Sequence, residues 1–375
     1  MTTPREQMDA LLGWLVETAA RLSGPVCFME VCGTHTVNAC RSGVHSLMPE
    51  NVRLVSGPGC PVCVTAQRYI DALIELGRRE EVVLATYGDM IRVAGAGGSL
   101  ELARSEGAEV RVVTSTLEAV EMARNEPARQ VVFAAVGFET TAPATAAAVL
   151  AAQKLNLDNF TILPCHKLVI PAMRTLLADP EINIDGFLCP GHVSVIIGAE
   201  AYREVVEQYG KGCVIAGFEP LQIMDGVLHL AQQAAAGEPK LENLYPEVVS
   251  DEGNPRARAL IEQVFVPGDA AWRALGVMKG SGLDLKPEYA RFDAFRRFGI
   301  SMGEDHDPPG CRCGEVITGR ITPEQCGLFG STCTPVYPIG PCMVSSEGSC
   351  QAWFKYRRNE MKRKNGPAGH CEVPT

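Results

Sequence analysis

The sequence predicts an α/β protein with mostly parallel sheets, and two observations carry that reading. Eight short apolar runs recur: VCFMEV at 26, VRLV at 52, VVLATY at 82, EVRVVT at 109, VVFAAV at 131, FTIL at 160, IDGFL at 184 and CVIAGF at 213. Most are followed by helical patterns, such as Ala66, Ile70, Leu73 and Ile74 after Thr65, or the alanine-rich stretch after Thr141. Alternation of this kind implies right-handed βαβ crossovers, which make neighbouring strands parallel. The eight strands could form one sheet or two stacked units. The motif GFE, at 137 and again at 217 and each time at a strand end, hints at two similar halves.

The remaining segments follow from the same patterns. Met8, Leu11, Leu12, Leu15, Val16 and Leu22 lie at helical spacing, so residues 5 to 22 read as an amphipathic helix. A chain of 375 residues exceeds one ordinary core, so two or three domains are expected. After about residue 240 the strand rhythm stops, and Pro, Gly and Cys accumulate from 307 to 350. That tail is expected to be a separate, loop-rich domain.

A formal charge of −10 repels phosphate backbones, which argues against nucleic acid as a partner. The basic stretch KYRRNEMKRK at 355 reads as cations at a helix C-terminus. The N-terminus has acidic residues where a signal peptide needs an apolar run, and no segment approaches the roughly 20 apolar residues of a membrane span. A soluble, cytoplasmic protein is expected. Fifteen cysteines, an odd number, fit a disulfide framework badly in a reducing compartment, so metal or redox chemistry is the better explanation.

The unusual residues fall just after predicted strands: EVCGTHT, SGPGCPVC, TYGDM, VGFETT, CPGHVS and AGFEP. In open α/β sheets that carboxyl edge is where ligands bind. For GDM and the two GFE motifs, a plain tight turn is an equally good reading. Cys60 and Cys63 form a C-x-x-C pair between a strand and a helix starting near Thr65, where a helix N-terminus lowers a thiol pKa. Such a pair could be half of a zinc site, but the chain has no second C-x-x-C. Cys32 ends the first strand in CGTHT, with His35 three residues on. If strands one and two are neighbours, Cys32, Cys60 and Cys63 meet at one edge.

The tail holds Cys311, Cys313, Cys326, Cys333, Cys342 and Cys350. One choice of four, Cys313, Cys326, Cys333 and Cys350, gives C-x12-C-x6-C-x16-C. Four thiolates bind zinc or a [4Fe–4S] cluster, and this spacing matches neither a zinc ribbon nor a ferredoxin. Cys27, Cys40, Cys165, Cys189, Cys213 and Cys371 read as structural or free thiols.

CGTHT, GPGCPVC, GFETT, PGHVS, GFEPL, RCGEVITG, CGLFGSTC and MVSSEGSC, in this order, resemble the HypD family of hydrogenase maturation factors from about residue 26 to 356. The resemblance implies a scaffold for the Fe(CN)2CO group of [NiFe]-hydrogenase, working with the chaperone HypC and receiving cyanide from HypE. It implies a metal-cofactor assembly scaffold with redox activity rather than a conventional turnover enzyme. It further implies two Rossmann-like α/β domains and a third domain around a [4Fe–4S] cluster. Carried onto this chain, Cys32 is the iron-binding cysteine, Cys60 and Cys63 the redox-active pair, and Cys313, Cys326, Cys333 and Cys350 the cluster ligands. The expected division is an N-terminal helix at 1–25, α/β domains at 26–128 and 129–240, and the cluster domain at 241–375.

Two other classes fit parts of the sequence. One is an autonomous iron–sulfur thiol–disulfide oxidoreductase acting through CPVC, recognisable by turnover of a disulfide substrate without any maturation partner. The other is a protein with structural zinc in the tail and a small-molecule site at the sheet edge, which metal analysis separates.

Overall fold

The computed structural model describes residues 3–357. The eight apolar runs are strands β1 (Val26–Glu30), β2 (Val52–Ser56), β3 (Val82–Thr86), β4 (Val110–Val112), β5 (Gln130–Gly137), β6 (Phe160–His166), β7 (Gly186–Pro190) and β8 (Gly212–Ala216). All pair in parallel. Strands β3, β5, β7 and β8 are buried on both faces, which is why they read as unbroken apolar runs, whereas the edge strands β2 and β4 carry the exposed Arg53 and Val112.

The strands form two sheets. One has the order β2-β1-β7-β8-β9, closed by the short β9 (Leu241–Asn243), and the other β4-β3-β5-β6. Strand assignment therefore departs from a cut into consecutive segments at 128. The chain leaves the first sheet after β2, builds the whole second sheet, and returns at β7. A sequence pattern marks strands but not their partners, so this interleaving was hidden. Each sheet contributes one face to a common core: Met29 and Phe187 of the first and Leu84, Val132 and Ala134 of the second belong to one contiguous cluster.

The N-terminal helix spans Pro4–Ala19, started by a Thr3–Glu6 capping box with Pro4 in the first turn. Its Leu15 and Ala19 pack with Ile223, Met224 and Val227 of the helix Pro220–Ala236.

Beyond 240 the structure corrects the expectation of a strandless tail. A hairpin of β10 (Phe265–Trp272) and β11 (Gly276–Leu285) pairs antiparallel with an irregularity between Gly268 and Ala270. Pro267, Gly268, Gly280 and Gly282 break its alternation, which conceals it in the sequence. The cysteine-rich segment is loop-rich as expected, but it is not set apart. Val316, Ile317, Met343 and Val344 join the core cluster shared by both sheets. Lys355 and Tyr356 lie in the last turn of the helix Ser349–Tyr356 and Arg357 caps it, while residues 358–364 of the basic stretch and Cys371 lie outside the described residues. Among the described residues no helix is long and apolar enough to cross a membrane.

Candidate functional site

Because β1 and β2 are parallel neighbours, with Glu30 opposite Ser56, their C-terminal loops emerge side by side. Cys32 precedes the helix Gly33–Ser42, and Cys60 precedes the one-turn helix Pro61–Val64, which carries Cys63. The loops interlock. The Gly33 N–H donates to the Gly59 carbonyl at 3.2 Å, and a Cβ on Gly59 would lie 2.1 Å from the Cys32 nitrogen. Only glycine fits there, so the structure brings Cys32, Cys60 and Cys63 to one edge. Gly59→Ala is expected to force the loops apart and to lower the unfolding midpoint.

On its other side Cys32 meets His192, which the sequence offered only inside the motif CPGH. β7 also neighbours β1, and the loop after it places His192 Nε2 3.6 Å from Cys32 Sγ. The His192 ring stacks on Phe218 with centroids 4.9 Å apart, and the His35 ring packs on the same Phe218 at 4.8 Å. His35 Nε2 is 2.9 Å from the Gly217 carbonyl, which can only accept, so this nitrogen carries the proton. His35 Nδ1 is then a buried lone pair with no hydrogen-bond partner. Burial, followed by the neighbouring His35, pushes the His192 pKa down to about 4. Burial pushes the Cys32 thiol up to about 12.

The second half of the edge joins the tail. Cys60 Sγ donates to Ser345 Oγ at 3.3 Å, and the Cys63 N–H donates to Cys60 Sγ at 3.2 Å. Burial raises the Cys60 pKa well above the usual thiol range. At Cys63 burial acts the same way, but hydrogen bonds with Cys342 and Cys60 and the charge of Arg273 outweigh it and lower the pKa. Arg273 is itself buried and paired with Asp307.

Cys342, left outside the expected ligand set, is thus the link between the C-x-x-C pair and the tail thiols. It is hydrogen-bonded to Cys63, Cys350 and Cys313, and its sulfur lies 2.6 Å from that of Cys313. All six tail cysteines line one hollow with Leu328, Phe329 and Met343. Thiols set in an apolar wall, with no carboxylate or imidazole among the lining residues, suit an iron–sulfur cluster. Among the described residues no three His, Cys, Asp or Glu side chains are gathered closely enough to hold a single metal ion. Cys27, Cys40, Cys165, Cys189 and Cys213 are all buried.

A cleft of about 420 Å³ opens between the two sheet edges, lined among others by Pro61, Asp89, Gly137, Thr141, His192 and Glu347. It touches the loops after β2, β3, β5 and β7 together with the tail, which accounts for the motifs that follow those strands.

Beneath Cys32, the fully buried Glu30 accepts from Thr36 Oγ1 at 2.8 Å and faces His45 Nε2 at 3.3 Å. Burial alone would lower the His45 pKa, but the Glu30 carboxylate outweighs it and raises it to about 10. The unfolded value is about 6.5, so the pair's stabilisation is full below about pH 6.5 and is lost as pH rises through about 10. His45→Gln is expected to cost about 3 kcal/mol at about pH 6 and little above about pH 10.5, read by urea unfolding.

Fold and site define a class: an α/β protein whose sheet edge presents a buried single thiol beside a C-x-x-C pair, continued by further thiols into a cysteine-lined hollow. A family model described as HypD, "Hydrogenase formation hypA family", matches residues 7–357, and the chain belongs to the HypD family. The hydrogenase maturation factor HypD of Escherichia coli (strain K12) is 46% identical over 360 residues, covering 95% of this chain and 96% of that protein. The protein of the same name from Azotobacter vinelandii is 45% identical over 337 residues, 88% of this chain and 89% of that protein. Its counterpart from Cupriavidus necator is 42% identical over 351 residues, 92% and 93% of the two chains.

Proposed function

We propose that this chain is a hydrogenase maturation scaffold, on which the Fe(CN)2CO group of [NiFe]-hydrogenase is assembled together with HypC, with cyanide received from HypE. The observation that carries this reading is the meeting of Cys32 with the Cys60–Cys63 pair at one sheet edge, continued through Cys342 to the tail thiols.

Iron bearing cyanide and CO is the cargo, and it needs a soft anionic anchor, which the Cys32 thiolate supplies and a carboxylate does not. Binding metal removes the thiol proton, and the neutral His192 stands within reach of Cys32 Sγ to take it. An iron shared by two proteins requires both sets of ligands within bonding distance, so HypC covers this edge. Charged substitutions in the 32 to 36 and 57 to 63 loops that leave the three cysteines in place are expected to weaken the complex in a pull-down. Retention there, with loss on changes at 355 to 364, would move the interface.

Cyanide leaves a donor thiocyanate by cleavage of its S–C bond, which consumes two electrons. The donor R–SCN and the Cys60 and Cys63 thiols then give R–SH, HCN and a Cys60–Cys63 disulfide, and the dithiol is restored by exchange through Cys342 and Cys313. A [4Fe–4S] cluster, when bound, supplies the single electrons for that recovery. We assign its ligands as Cys311, Cys326, Cys333 and Cys350. This puts Cys311 in place of the Cys313 expected from the sequence, because among the six thiols lining the hollow Cys313 and Cys342 face each other directly.

Metal analysis of the anaerobically purified full chain tests the assignment. About four irons with sulfide per chain are expected, lost in Cys311→Ser and kept in Cys313→Ser. Stoichiometric zinc without iron or sulfide would refute the cluster.

A further inference from the structure

Asp89 lies on the turn after β3, in the GDM segment that reads equally well as part of a ligand-binding edge or as a plain turn. Its Oδ2 accepts three hydrogen bonds from the tail: Ser345 Oγ at 3.1 Å, Ser346 N at 2.8 Å and Ser346 Oγ at 2.8 Å. Ser345 is buried, and its hydroxyl touches Cys60.

A hydroxyl has one proton and two lone pairs, and a carboxylate oxygen can only accept. The Ser345 proton is therefore committed to Asp89. Its lone pairs face the Glu347 N–H at 3.2 Å and the Cys60 thiol at 3.3 Å, so every hydrogen-bonding capacity of this hydroxyl is used. Toward Cys60, Ser345 is an acceptor and not a donor. The donor aimed at the Cys60 sulfur is then the Cys63 N–H. Cys63, by contrast, faces the Arg273 charge and the Cys342 thiol. The other charged groups around the pair are carboxylates, Asp89 and Glu347, which oppose a second negative charge.

We propose that Asp89 is a positioning residue for the thiol pair: through Ser345 it keeps the proton on Cys60 and leaves Cys63 as the reactive thiolate. This reverses the usual arrangement, in which the first cysteine of a C-x-x-C at a helix start is the nucleophile. It deepens the reading of the pair as redox-active and also orders its steps. Cys63, facing Cys342, exchanges with the tail thiols, while Cys60 is the partner that closes the disulfide.

The test uses the reduced full chain, purified anaerobically, with no maturation partner, so it does not depend on the scaffold function. A brief pulse of iodoacetamide at neutral pH is followed by digestion and fragment mass spectrometry, which gives the ratio of label at Cys63 to label at Cys60. Cys63 is expected to be labelled first. In Asp89→Ala the freed Ser345 hydroxyl turns to donate to Cys60, and the ratio falls about tenfold, the effect of one pK unit. Asp89→Asn keeps a carbonyl acceptor and removes a charge that opposes the Cys63 thiolate, so the ratio is kept or rises. Adding Ser345→Ala to Asp89→Ala removes the new donor and restores the ratio, which mere loosening of the loop would not do. Preferential labelling of Cys60 in the parent chain, an unchanged ratio in Asp89→Ala, or no recovery in the double variant would each overturn the proposal.

Discussion

Replacing Cys326 or Cys333 by serine is expected to unfold the tail while leaving both parallel sheets in place. Between 301 and 348 the regular structure consists of short helical turns, Cys313–Ile317, Pro323–Gln325 and Pro341–Val344. Ordering each residue costs roughly 1–2 kcal/mol of backbone entropy, and the packing of Val316, Ile317, Met343 and Val344 into the common core offsets part of it. On the proposed reading, a metal centre held by thiolates would supply the missing stabilisation, as it does in other small metal-bound units. The loss should be on the order of 4 kcal/mol or more, the range reached when a metal site is removed. Denaturant unfolding of anaerobic protein measures it, and amide exchange should accelerate in the tail before the sheets. An unchanged midpoint would mean that packing of Val316, Ile317 and Met343 against the common core suffices.

The second large effect separates electron supply from anchoring. Cys60→Ala and Cys63→Ala each remove one partner of the dithiol, so two-electron cleavage of a thiocyanate stops, and hydrogenase maturation should fall by about 10³-fold or more. Losses of that size follow when a member of a catalytic unit is removed. The complex with HypC and the iron of the tail should survive in both variants, because neither cysteine is among the proposed ligands of either metal. Loss of the tail iron in Cys60→Ala would show that the cysteines have been divided wrongly.

The division of the fold between what the sequence revealed and what it hid has physical causes. Strands of a parallel sheet are buried on both faces, so VVLAT at β3 or QVVFAAVG at β5 stands out from any background. Which strands pair depends on where the chain crosses between layers, and no local pattern records that β7 returns to lie beside β1. The meeting of Cys32 with Cys60 and Cys63 was legible because it needed only the neighbourhood of two consecutive strands. His192 was not, because its approach to Cys32 depends on the β1–β7 pairing across a whole inserted sheet. The meeting of Cys313 and Cys342 was hidden for a similar reason. Spacing counts residues along the chain, whereas the helices Cys313–Ile317 and Pro341–Val344 bring these two sulfurs together out of register with any spacing motif.

The central claim is that Cys32 anchors the iron being built. Infrared spectroscopy of the complex formed with HypC tests it most directly, since iron-bound cyanide and CO absorb where the protein does not. The parent chain, co-produced with the maturation partners, should show the bands of both ligands. Cys32→Ala should show neither, while its tail iron and its unfolding midpoint remain those of the parent, because the substitution touches one buried sulfur near His192 and none of the tail thiols. Normal cyanide and CO bands in Cys32→Ala would contradict the anchor and the account built on it.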